Sequence, residues 1–143
     1  HKLAQELAAA KARHGFAILI DLHSMPSIGI GRIGYGQELI VGDLFGSSGM
    51  PSLTQAAIQM GLDMGLRVGL NRPYAGGDIL ARHGSPDHHI YAVQLEWDRS
   101  LYLDGDQMPD VKTLKWLQNA MADLVSAVRG DSFRGRRDQQ AAE

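Results

Sequence analysis

Two short stretches of the chain hold residue types that can do chemistry: Asp21-Leu22-His23-Ser24-Met25-Pro26 and, much further along, Gln94-Leu95-Glu96-Trp97. An imidazole is the side chain whose protonation and metal affinity both work near neutral pH. A lone His at the end of an apolar run therefore has two readings, a hydrogen-bonded strand end or a metal or catalytic position. Glu96 lies between Leu95 and Trp97, where an ionised carboxylate is costly unless something compensates it. Its readings are a structural ion pair with Arg72 or Arg82, or a general base whose pKa is lifted by its surroundings. Arg82 is either a bidentate clamp for a carboxylate or an ordinary surface arginine. His83, His88 and His89 look metal-like by count, but they surround a "GSPD" turn and read as solvated loop.

Gly29, Gly31 and Gly34 spell G-x-G-x-x-G directly after the first stretch. A dinucleotide site needs the first glycine straight after a strand and a helix opening at the last, because the helix N-terminus holds the pyrophosphate. Here "HSMPS" intervenes and "YGQELIVGD" reads as turn and strand, so a plain glycine-rich loop is the expectation.

The elements that must position His23 and Glu96 follow from periodicity. Leu3, Leu7 and Ala10 recur at helical spacing, and Arg13-His14-Gly15 ends that helix with cations followed by glycine. "FAILIDLH" is apolar at successive positions, as in a strand covered on both faces, and is expected to be central. Short strands are expected at 38–43 and 66–71, and a longer one at 89–98. Helices are expected from Pro51 to Met64 and from about Asp110 to Val128, the latter burying Leu114, Leu117, Met121, Leu124 and Val128. "NRPYAGGD" reads as a turn whose glycine pair suits a close backbone approach. Helices alternating with apolar strands predict an α/β fold, a three-layer sandwich around a mostly parallel or mixed sheet. Each strand ends in polar residues (Asp21 and His23, Asp43, Asn71 and Arg72, then Gln94 and Glu96), and strand ends of open α/β sheets are where ligands bind.

Bulk properties narrow the chemistry. With 143 residues the chain is long enough for one domain with a real core. A formal net charge of -2 gives no attraction for nucleic acid or an anionic membrane. No cysteine is present, so thiolate catalysis is excluded and a metal site must be built from His, Asp and Glu. The longest apolar run, Phe16 to Ile20, is far too short to span a bilayer, and the expected location is the cytoplasm. His1 opens the chain in the middle of an amphipathic pattern, which suggests that an N-terminal portion is missing. Residues 131–143 are polar and aperiodic, and are expected to form a flexible tail.

The blocks "DLHSMP", "LIVGDLFGSS", "NRPYAGG", "ARHG" and "AVQLEWDRSLYLD", in that order, resemble the C-terminal part of the N-formylglutamate amidohydrolase family, the deformylases of histidine breakdown. The resemblance runs from His1 to about Val128 and makes residues 1–130 the C-terminal part of a single amidohydrolase domain. It implies a phosphorylase/peptidase-like fold shared with zinc carboxypeptidases, and Zn2+-dependent hydrolysis of a small-molecule N-acyl amino acid such as N-formylglutamate. By that likeness His23 is a zinc ligand, Glu96 the general base, and Asp21 a partner that orients His23. Arg72 and Arg82, with Asn71 beside them, become substrate-binding candidates, one arginine for the oxyanion and one for the substrate carboxylate. The family's remaining ligands come from an upstream Pro-His-Ser/Ala-Gly motif absent from this sequence, so the chain alone is expected to bind zinc poorly.

Three blocks depart from the family pattern. Ala81-Arg82-His83-Gly84 lacks a usual tyrosine, Asp78 replaces an aromatic or His after the glycine pair, and "FGSSGMP" replaces Thr-Ser-Cys-Asp-Pro. These fall where a substrate would sit and leave the acyl group open. Two other functions fit the same fold: a non-catalytic binding domain, and a zinc carboxypeptidase-like peptidase.

Overall fold

The computed structural model describes residues 2–27 and 36–129. Helix α1 (Lys2–His14) is built from strong helix formers and closes as its sequence dictates: Gly15 is left-handed at φ 78 and its N–H returns to the Lys11 carbonyl at 2.8 Å. Strand β1 (Ala17–Met25) follows, then β2 (Leu39–Gly42), helix α2 (Pro51–Asp63), β3 (Val68–Leu70), the short helix α3 (Asp78–His83), β4 (Ile90–Asp98) and α4 (Val111–Arg129). Pro51 opens α2 in the first turn, where its missing N–H costs nothing. The glycine-rich stretch at 29–34 and the tail at 131–143 lie outside the described residues.

The four strands make one mixed sheet in the order β1-β4-β2-β3. β1 runs parallel to β4, β2 runs antiparallel to β4, and β3 runs parallel to β2. The α/β reading holds. β4 is the central strand, buried at every position after the first. Among the described residues β1 is an edge strand and not the central one that its apolar run predicts. Leu22 is 56% exposed there, because an apolar side chain is buried only where a neighbour arrives to cover it.

Two cores sandwich the sheet. On one face Val41, Val93, Leu95 and Trp97 pack with Leu53 of α2 and Leu124 of α4. Strand alternation sends Ile40, Ala92, Gln94 and Glu96 to the opposite face. There lie buried Leu7 of α1 and Leu80 of α3, neither of which belongs to the first cluster. The three layers are thus α2 and α4, the sheet, and α1 with α3. Helix α3 was not legible as a helix: it is six residues long with only Leu80 buried, and two glycines precede it.

Candidate active site

The β1–β4 ladder pairs Asp21 with Gln94 and His23 with Glu96. Because alternate residues of a strand share a face, this register puts all four side chains together on the α1/α3 side of the sheet. His23 Nδ1 lies 3.6 Å from Glu96 Oε1, and on the ring's other side Nε2 lies 3.0 Å from Asp21 Oδ2. A carboxylate therefore stands at each ring nitrogen, Asp21 at Nε2 and Glu96 at Nδ1, and together they orient the ring. The hydrolytic reading requires these two reactive groups, far apart in sequence, to face one another. They do.

Glu96 is 7% exposed, whereas the His23 side chain is 45% exposed at the open rim. Burial pushes the Glu96 carboxyl above its ordinary value. Nearby His23 opposes that shift, Asp21 adds to it by repulsion, and the Gln94 hydrogen bond and the Arg99 charge pull the other way. The structural ion pair with Arg72 or Arg82 is not formed. Arg82 pairs instead with Asp78 one helical turn back, at 2.9 Å, and Arg72 makes no polar contact with another described residue.

The polar strand ends do not all meet at His23 and Glu96. β2 and β3 run against β4 and Gly42 pairs with Gln94, so Asp43 and Asn71 lie beyond Gln94, toward the start of β4. Asn71 is buried, and its amide is committed to the loop after β2. Its Oδ1 accepts from the N–H groups of Asp43 (3.0 Å) and Phe45 (3.3 Å), and its Nδ2 donates to Asp43 Oδ1 at 2.8 Å. Thr54 and the Gly46 N–H complete the Asp43 carboxylate. This network holds Leu44, Phe45 and Gly46 in a run of left-handed conformations at φ 53, 56 and 86, with Phe45 71% exposed at the tip. His83, His88 and His89 hold no common centre: Ser85 bonds His88, and Tyr91 bonds His89.

Two more residues sit at the site: Gln94, read from the sequence only as a polar strand end, and Arg99, which sequence reasoning did not single out. Gln94 Nε2 donates to Glu96 Oε1 at 2.9 Å. Arg99 bonds Ser24 of β1 through Nε at 3.3 Å, next to His23, and its charge reaches Glu96. Position 94 lies two residues before Glu96, and strand alternation alone was a signal for it. Arg99 follows the end of β4, where no period applies.

Among the described residues no group of three or more His, Asp or Glu side chains is arranged to hold a metal ion. His23 fits one ligand position, since an imidazole backed by a carboxylate is a common metal ligand. The described residues do not make up a zinc site by themselves.

A buried carboxylate thus faces an imidazole across two parallel strands, beside a rim open to solvent. The sequence signature of the N-formylglutamate amidohydrolases matches residues 1–103, and the chain belongs to that family. It is 34% identical over 112 residues to the N-formylglutamate deformylase of Pseudomonas aeruginosa, covering 75% of this chain and 41% of that protein. The corresponding enzyme of Pseudomonas putida is 31% identical over 107 residues, covering 71% and 39%. The chain thus spans about two fifths of the length of these relatives. The crystal structure of the N-formylglutamate amidohydrolase of Ralstonia eutropha superposes with a TM-score of 0.75 at 26% identity, over 90% of this chain and 47% of that one. A gene product of Agrobacterium tumefaciens, 20% identical with a TM-score of 0.59, shares the fold over 91% of this chain and 50% of its own.

Proposed function

We propose that this chain carries the proton-transfer half of an amide hydrolase acting on N-formyl or other N-acyl amino acids, with N-formylglutamate the first candidate. The observation that carries the reading is the pairing of His23 Nδ1 with Glu96 Oε1 at 3.6 Å, with Asp21 behind the ring. Glu96 accepts a proton from water as the water oxygen attacks the formyl carbon, and then returns it to the amine as the C–N bond breaks. The products are formate and the free amino acid. Burial suits Glu96 to this exchange because a carboxyl of raised pKa both accepts and releases a proton more readily near neutral pH.

We further propose that the enzyme is zinc-dependent and that His23 is one ligand, the others coming from outside the described residues. A zinc ion supplies Lewis-acid polarisation of the carbonyl and lowers the pKa of water. Arg72 and Arg82 remain the proposed contacts to substrate, and Arg99 joins them as a cation at the site. Asn71 acts on this view by holding the 43–49 loop. The small molecule is the only partner proposed, in the cytoplasm and in histidine breakdown, with no nucleic acid or membrane involved. Among the described residues no helix is long and apolar enough to cross a membrane.

The test is formate release from N-formylglutamate by the protein that carries this chain, with metal content measured alongside. His23→Ala loses bound zinc. Glu96→Gln keeps the metal and loses turnover by roughly 10²-fold or more. Undiminished turnover in Glu96→Gln refutes the role given to Glu96. Cleavage of a C-terminal dipeptide in place of formylglutamate makes the protein a peptidase of the same fold, and failure on both leaves it a binding domain.

A further inference from the structure

Gln94 touches Glu96 but takes no part in the hydrolysis described above. It is 3% exposed, and burying an amide on an apolar strand is unfavourable unless its polar atoms are bonded. Both ends are. Gln94 Oε1 accepts the Gly77 N–H at 2.9 Å, and Nε2 donates to Glu96 Oε1 at 2.9 Å. A backbone N–H can only donate, so the atom of Gln94 that meets it must be the oxygen, and the NH₂ group must then face the carboxylate. The amide cannot turn over without losing both bonds.

Two glycines bring that N–H to the sheet. Gly42 lies opposite Gln94 in the β2–β4 ladder, and a Cβ there would come within 2.7 Å of the Ala75 carbonyl carbon. Gly76 has φ +123, and a Cβ on it would meet Leu80 Cδ2 at 2.7 Å. Without side chains at these two positions the 75–77 backbone lies directly on the strand and presents the Gly77 N–H to Gln94.

We propose that Gln94 is a positioning residue: clamped by the Gly77 amide, it holds the Glu96 carboxylate in the orientation that faces His23. The inference rests on the reading of Glu96 as the proton acceptor, and it assigns the "AGGD" segment the task of setting that acceptor's direction. A free glutamate rotates about three bonds, and a misplacement of about 1 Å at a reacting group costs on the order of 10²-fold in rate.

The experiment compares kcat and KM for N-formylglutamate in the protein carrying this chain and in its Gln94→Met variant, which keeps side-chain length but removes both bonds. The expected result is a kcat lower by about tenfold to a hundredfold with KM within about twofold. That loss should vanish when Gln94→Met is added to Glu96→Gln, because nothing is then left to orient for proton transfer. An equal loss in both backgrounds, or none in the first, overturns the proposal. Should Gln94→Met fail to fold, Gln94→Leu removes the same two bonds with a shorter side chain, and the same comparison applies. A crystal structure of either variant judges the inference without reference to turnover: Glu96 turned away from His23 supports it, and Glu96 unmoved overturns it. Absence of hydrolysis by the unaltered protein counts against the proposed function instead, and the crystal result still decides the role of Gln94.

Discussion

Glu96, the proposed proton acceptor, is costly to the fold. Its carboxyl is held above the ordinary range chiefly by burial, so between the unfolded and folded pKa values the folded state binds the extra proton, and stability falls as pH rises through that window. Glu96→Gln removes the charge and keeps the shape. In metal-free protein this variant should therefore melt higher than the parent at neutral pH, and the gain should disappear in acid below the ordinary carboxylate range; thermal melts across pH check it. At this scale the two residues that face each other were legible because their types were out of place, an imidazole and a carboxylate within apolar runs. Their neighbours were harder to read. Asn71 announced itself as a polar strand end, but whether its amide faces substrate or a loop depends on strand direction, which no residue type encodes. Gln94 looks like any buried polar residue until Gly77 is seen above it.

Most elements follow from local pattern, and so do their weak points. Asp110 caps α4, accepting from both the N–H and the hydroxyl of Thr113, and these bonds lower its pKa. A depressed carboxylate contributes stability that is present above its unfolded pKa and is lost as pH falls through the folded value. Asp110→Ala should melt below the parent at neutral pH, with the difference closing in acid. The 43–49 loop predicts a larger effect. Asn71→Ala leaves the Asp43 and Phe45 N–H groups without their acceptor, at a cost of about 2–3 kcal/mol by urea unfolding. The same loop holds two non-glycine left-handed residues in succession, each costing roughly 1–2 kcal/mol, so it depends on that amide to stay in place. Helix α3 escaped the pattern because six residues offer less than two turns of periodicity, and only Leu80 marks its inner face.

For the molecule as a whole, the sheet's composition was readable and its order was not. The apolar run of β1 implied cover on every side, yet among the described residues it pairs with β4 alone and leaves Leu22 open beside a groove of about 380 Å³ lined by Trp97, Leu114, Leu117 and Met121. A bare apolar edge is a template for pairing with another chain. The 143-residue chain prepared by itself should therefore self-associate with rising concentration, and Leu22→Lys should suppress this in light scattering; monomeric behaviour of the unaltered chain would remove the argument. The parallel register that joins β1 to β4 carries a further consequence. Deleting a single residue between Ala17 and His23 would turn the imidazole to the far side of the sheet, whereas the turn at 104–107, beyond the end of β4, can change length without touching that alignment. The interval between the Glu96 carboxylate and the imidazole is thus inherited from the backbone ladder, whatever happens to the length of that turn.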